Sequence, residues 1–398
     1  MTKIKQMHCS RRLVLLTIAG AVAQLAGCGG GTNVSGLSSG GTGSFTTGTI
    51  TGFGSIIVNG IRYDDTIATV LSQDDETSSS QNLQLGMVVN IEGSSLTPSA
   101  TATGLPTATA HRITYGSEWA GPVSQINVGS SSFEVLGNRV DVLSTTLFSA
   151  GDISTLTSAQ FVEIYGYVDP TDGHIQASRV EVSTTQSSVF KLSGAITQIN
   201  RANRTAIVGN TAIAWGTSVV LPDATQDRSF VRVALAPTPA GTTWTATKIG
   251  LPASPLTNLS RDQDYEAEVH GTITAYTSNA SFVVNGIPVN AASVSPAPQL
   301  SAGLRVEVKG AIRQGQLMAS AVEVKNKQQI EAEEFEFYGF VSNVDTTART
   351  FDLRGQTFDY DNQTEHLEIL SLNPPPYVEV KASRAGGRWH ALEIDLED

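Results

Sequence analysis

From about Phe45 to the end of the chain, apolar and polar residues alternate in short runs with a period of two. Val162-Glu163-Ile164-Tyr165-Gly166, Val231-Arg232-Val233, Val306-Glu307-Val308-Lys309-Gly310 and Val378-Glu379-Val380-Lys381 are the clearest. Successive side chains of a strand point to opposite faces, so each run predicts a strand with one face on a core and the other toward water. No helical period is found anywhere after residue 28.

The predicted strands recur as a unit. A glycine opens a strand at Gly48-Thr-Ile, Gly121-Pro-Val, Gly194-Ala-Ile, Gly271-Thr-Ile and Gly339-Phe-Val, at intervals of 73, 73, 77 and 68 residues. A hairpin signal follows each: Val58-Asn59-Gly60-Ile61, Leu136-Gly137-Asn138, Val208-Gly209-Asn210, Val284-Asn285-Gly286-Ile287 and Leu353-Arg354-Gly355-Gln356. Asn-Gly and Gly-Asn between apolar residues favour tight turns with positive φ. Each unit closes on Ala, two residues, then Val or Ile: Ala110/Ile113, Ala177/Val180, Ala246/Ile249, Ala319/Val322 and Ala391/Ile394.

A fixed order at a fixed period points to stacked copies of one supersecondary unit. The alternative is a β-sandwich whose strands are alike by chance. A period of about 70 residues suits a complete small barrel, and closure removes the strand edges that invite aggregation. The expected fold is therefore all-β, with five tandem OB-like Greek-key barrels at residues 45–116, 117–186, 187–252, 265–327 and 333–398. Units of this size are marginal alone, so neighbours are expected to pack on one another. Pro-rich strings (Pro237-Thr238-Pro239, Pro296-Ala297-Pro298, Pro374-Pro375-Pro376) read as rigid connectors.

The string from Thr49 to Asp64, TITGFGSIIVNGIRYD, followed by Leu85-Gly86-Met87-Val88-Val89, resembles the domain of unknown function 5666. That is an uncharacterised family of β-rich repeats common in bacterial lipoproteins. The first copy is most like it, and the fourth resembles it well through Val283 to Ile287 and Leu300 to Gly310. The second, third and fifth diverge, and the third has Leu235 where a glycine follows the alternating strand elsewhere. The resemblance implies an envelope location and small barrels. It implies no activity.

The N-terminus supports the same address. Lys3, Lys5, Arg11 and Arg12 precede an apolar run, Leu13 to Ala23, too short to span a bilayer. Small residues lead to Leu25-Ala26-Gly27-Cys28, a match to the bacterial lipobox. Residues 1–27 are read as a lipoprotein signal peptide, Cys28 as the lipidation site, and 28–44 as a Gly/Ser/Thr tether. Gly29, where Asp signals inner-membrane retention in lipoproteins, leans toward the outer membrane, facing the periplasm or the cell surface. The other reading is an ordinary cleaved signal with a chance cysteine.

Composition narrows the function. Of the two cysteines, Cys9 leaves with the signal and Cys28 takes the lipid, so no disulfide, thiol nucleophile or cysteine metal site is expected. The net charge is −12; removing the signal leaves 21 basic against 37 acidic residues, a net −16. Scattered Lys and Arg on so acidic a chain disfavour nucleic acid as a partner.

Candidate chemistry is thin. Gly36-Leu37-Ser38-Ser39-Gly40 fits a nucleophile string but sits in the tether. His111, His174, His270, His366 and His390 have no metal-binding spacing and read as solvent-facing strand residues. Asp169-Pro170-Thr171-Asp172-Gly173 offers oxygens for calcium, yet reads more simply as a hairpin turn; Asp74-Asp75-Glu76 and the acidic stretch from Glu331 to Glu336 lack calcium-loop spacing. Phe53, Tyr63, Trp119, Tyr165, Tyr167, Trp215, Trp244, Tyr338 and Trp389 are either core or a stacking face for sugars. No catalytic residue, metal or cofactor is assigned. The expected function is that of a lipid-anchored, non-enzymatic interaction or spacer protein, with an envelope protein or polysaccharide as partner. Binding of carbohydrate or cell-wall polymer is the alternative.

Overall fold

A computed structural model describes residues 43–73, 77–99, 104–385 and 387–397. The signal segment 1–27, Cys28, the Gly36–Gly40 string and Asp74, Asp75 and Glu76 lie outside the described residues. Strands dominate, and the single α-helix among the described residues, Lys327–Glu331, is barely more than one turn. No described helix is long and apolar enough to cross a membrane.

The strands close into five barrels with one circuit. In barrel 4 the strands are Tyr265–Ser278, Ser281–Val284, Ile287–Asn290, Arg305–Arg313 and Gln316–Val324. The first pairs antiparallel with the second and the second with the third; the third runs parallel to the fifth, and the fourth joins the fifth back to the first. This order, 1-2-3-5-4-1, is that of an OB-type Greek-key barrel. Barrel 2 (Trp119–Asn127 to Ile175–Ser183), barrel 3 (Phe190–Asn200 to Trp244–Gly250) and barrel 5 (Phe335–Asp345 to Arg388–Leu396) repeat it. Barrel 1 (Gly43–Phe53 to Thr107–Tyr115) splits its third strand into Ile61–Asp64 and Thr69–Ser72, both parallel to the last strand.

The repeated strings have local causes. The second and third strands meet at two-residue turns. Both central residues have positive φ at Asn59-Gly60, Leu136-Gly137, Asn285-Gly286 and Arg354-Gly355, the type I′ pattern, whereas only Gly209 does at Gly209-Asn210, the type II′ pattern. In barrel 2 the turn is one residue earlier than Gly137-Asn138: Asn138 starts the next strand and is fully buried. The opening glycine lies under the first turn residue. A Cβ on Gly48 would stand 2.1 Å from Asn59 Oδ1, and one on Gly271 would stand 2.8 Å from Asn285 Nδ2.

The Ala-x-x-Val/Ile closure is a β-bulge. In barrel 1 Glu92 faces Arg112 but Gly93 faces Ala110, so His111 is an extra residue; the same shift follows Ala177, Ala246, Ala319 and Ala391. One inserted residue lets positions three apart share a face. Ala110 and Ile113 are accordingly both fully buried, as are Ala391 and Ile394.

The barrels are joined through their first strands. Gly43–Thr47 of barrel 1 bonds to barrel 1's fourth strand on one edge, while its second strand reaches back only to Ile50. The open edge takes Tyr265–Val269 of barrel 4 in parallel. Farther along, Gly52 and Phe53 pair with Glu336 and Phe337 of barrel 5. In barrels 2 and 3 the first strands meet at Ala120 and Lys191. Packing thus joins copies distant in sequence as well as neighbours, because a strand edge left without backbone partners is costly unless another strand covers it. Barrels 1 and 5 share one hydrophobic cluster and barrels 2 and 3 another; barrel 4 receives Phe45 from barrel 1 into its own.

Candidate functional site

Barrels 1, 2 and 5 converge on a cleft of about 420 Å³. Barrel 1 supplies Phe53, at the end of its first strand, with Gln84 and Leu85 from the loop before its fourth strand. Gly86, with φ +82°, lets that loop lie against barrel 2: a Cβ there would be 2.7 Å from the Ser178 carbonyl oxygen. Ser178 is the bulged residue of barrel 2, so Arg179 follows directly on the bulge and points out of the barrel. It is buried beneath barrel 1, donating to the Leu85 carbonyl at 2.9 Å and to Glu181 at 2.6 Å. Barrel 2 also contributes Leu147, Phe148 and Ser149.

Barrel 5 completes the wall with the turn residue Arg354, Gln356, Arg384 and Trp389. Arg354 donates to the Tyr338 carbonyl at 3.1 Å, and Gln356 Oε1 accepts from Trp389 Nε1 at 3.1 Å. The Arg384 guanidinium lies over the Trp389 ring, 4.8 Å from its centroid. Burial, and then the charge of Arg179, hold the Arg384 guanidinium below its ordinary pKa. Three guanidiniums thus line the cleft, and among the described residues no carboxylate does. On a chain of net charge −12 this is an inversion of local sign.

A second cluster sits beside the joint of barrels 1 and 4. His270 lies 3.1 Å from Glu268 and 3.4 Å from Glu307, within ligating reach of both. Lys309 Nζ is 3.0 Å from Glu307, and Lys325 Nζ is 2.6 Å from it. Burial pushes the Glu307 carboxyl up, but His270 and the two ammoniums outweigh it and leave it at about 2. Lys309 also reaches Glu268 at 3.5 Å, so a divalent ion would have to displace ammoniums from both carboxylates. The cluster is built as an ion-pair network. The exposed trio Glu365, His366 and Glu393 is similarly spaced, with Glu393 held by Lys381 at 2.6 Å.

The residues singled out from sequence fall as follows. His111 and His366 are exposed, but His174, His270 and His390 are half-buried beside carboxylates, which corrects the solvent-facing reading for those three. Each of these three rings lies against two carboxylates. Asp169 accepts from the Thr171 amide and hydroxyl, so its loop is the hairpin turn, bordering a small cleft of about 80 Å³ that Arg305 also lines. Arg305 stacks on Tyr167 there, 3.1 Å from the ring centroid. Of the nine aromatics, Tyr63, Trp119, Tyr165, Tyr167, Trp215, Tyr338 and Trp389 are buried, and Phe53 and Trp244 are half-buried, so they are chiefly core and not open stacking faces. The arginine cleft was invisible in sequence, since its charges come from copies some 175 residues apart.

Three segments, residues 120–181, 270–323 and 338–395, match the family model described as Domain of unknown function (DUF5666). The DUF5666 repeat is therefore matched three times, once each in barrels 2, 4 and 5. Barrels 1 and 3 lie outside the matched segments, while barrels 2 and 5, expected to diverge, match; barrel 1, expected to be most like the family, is the copy with the split third strand. No curated protein matches the sequence. Among solved structures, the chain is similar to "drosophila Unr CSD456" at 13% identity, covering 54% of this chain and 98% of that one, with a TM-score of 0.14.

Proposed function

We propose that this chain is a lipid-anchored cell-envelope protein that acts without catalysis, as an interaction or spacer body. DUF5666 repeats form the body, Cys28 carries the acyl chains and residues 28–44 are the tether. Several acyl chains anchor stably, since each buried CH₂ contributes about 0.8 kcal/mol. The address is the outer membrane, facing the periplasm or the cell surface. The observation that carries the reading is the first-strand pairing of barrel 1 with barrels 4 and 5, which makes a stiff body of units that would be marginal alone. Stiffness suits a part that must hold a surface at a set distance or present several faces at once.

Labelled palmitate tests the anchor. The wild-type chain should incorporate it and fractionate with membranes, and Cys28→Ala should do neither. Equal labelling of both, or none of the wild type, removes the cellular address. Capture from envelope extracts with a form lacking residues 1–28 then distinguishes an interaction body from a bare spacer.

A second reading, binding of carbohydrate or cell-wall polymer, is favoured by the cleft between barrels 1, 2 and 5. A concave site of about 420 Å³ is of small-ligand size.

A further inference from the structure

We infer that the cleft between barrels 1, 2 and 5 is a binding site for an acidic saccharide, a sugar whose ring carries a carboxylate; the inference rests on the second reading above.

Charge is the first argument. Arg384 is half-buried, and among the described residues no carboxylate pairs with it; its guanidinium faces Trp389 and lines the same cleft as Arg179. Arg179 already has Glu181 as its counter-ion, but Arg384 has given up hydration for a partly dry site with no such partner, a cost that a bound anion would cancel. The planar fork of arginine matches the two oxygens of a carboxylate. Arg179 is already committed through Nε and one terminal nitrogen, which fixes its plane. Arg384 has no such tie and is the group left to close on a ligand.

The rest of the lining argues for a sugar over a bare anion. Phe53 and Phe148, both half-buried, give apolar walls for the C–H face of a ring. Gln84, Ser149 and Gln356 add neutral donors and acceptors of the kind that read hydroxyls. Gln356 spends its carbonyl on the Trp389 indole, so its amide N–H groups are turned to donate. A site for inorganic phosphate alone would need neither the apolar walls nor the spread of neutral polar groups.

The test is calorimetric titration of the full-length chain in detergent micelles with trigalacturonate, with the neutral galactose trimer, and with inorganic phosphate. Trigalacturonate should bind saturably, at least tenfold tighter than either of the others. Arg384→Gln should weaken it at least tenfold, and Arg384→Lys, which keeps charge but not the fork, should weaken it less. Arg139→Ala, an exposed change outside the cleft, should leave it unchanged. Trp fluorescence checks that each variant is folded. Equal affinity for acidic and neutral trimers, with no effect of Arg384→Gln, overturns this inference and leaves glycan binding standing. Phosphate binding as tight as trigalacturonate also overturns it, by making the site a plain oxyanion site. Flat traces with every saccharide overturn both.

Discussion

Glu336→Gln probes the joint between barrels 1 and 5. Glu336 lies on the first strand of barrel 5, in register with Gly52 of barrel 1 on one edge and Lys381 on the other. Burial first, and then the charge of Glu379, push its carboxyl up to about 7 from an ordinary 4.5, against the pull of Lys381. A raised carboxylate pKa lowers stability as pH rises. Below 4.5 both the folded and the unfolded chain hold the proton, and the group contributes nothing. Between 4.5 and about 7 the unfolded chain releases the proton while the fold retains it, so stability falls; above 7 the whole cost is present. That interval converts to about 1 kcal/mol at pH 5.5 and about 3 kcal/mol at pH 8, an upper bound because Glu379 shares the titration. Glutamine does not ionise. The variant should therefore exceed wild type in stability by a margin that grows by about 2 kcal/mol from pH 5.5 to pH 8. Urea unfolding of the mature protein at both pH values measures this. Trp389, with its ring 4.9 Å from Phe337, reports on the barrel 5 core. A margin that is the same at both pH values, or a variant less stable at pH 8, would show that the Glu336 proton does not carry the effect.

Three further changes test the repeat geometry. Gly48→Ala should destabilise barrel 1 by about 1–3 kcal/mol in the same urea assay, because the new Cβ would displace Asn59 from its bond to the Thr47 carbonyl. Gly194→Ala, where the nearest atom to a Cβ is 3.5 Å away, should cost about 0.5 kcal/mol or less; similar losses at both glycines would refute the steric account. Asn138→Ala should cost about 2–4 kcal/mol at the joint of barrels 2 and 3. Its side chain donates to Thr211 Oγ1 at 2.6 Å and accepts from the Asn210 amide at 2.7 Å; the amide would lose its acceptor, and Thr211 Oγ1 would keep only its bond to the Leu136 carbonyl. A loss under 0.5 kcal/mol, read by fluorescence of the buried Trp119 and Trp215, would mean that water replaces those bonds.

The parts of the fold that were legible in the sequence are those set by local rules. Alternation located the strands, and positive-φ turn residues located the hairpins. The interval between glycines marked the repeat because each glycine must pass beneath its own turn, a contact within one copy. The Ala-x-x-Val closure was visible as a string but not as a shape. A spacing of three in a strand of period two puts both residues on one face only if a residue is inserted between them, and that reading would have placed the bulges. Packing between copies was not legible, because backbone edges carry no side-chain signature. Nothing in Gly43–Thr47 distinguishes a strand covered on one edge from a strand covered on two. The candidate site shares that fate for the same reason. Arg179 is aimed outward by a bulge, Arg384 lies in the last hairpin, and contacts of barrel 1 with both barrel 2 and barrel 5 bring them to one cleft. A chain of dispersed charges therefore hides a concentrated cationic surface in the contacts between repeats, which are the contacts that repeat-by-repeat reading leaves out.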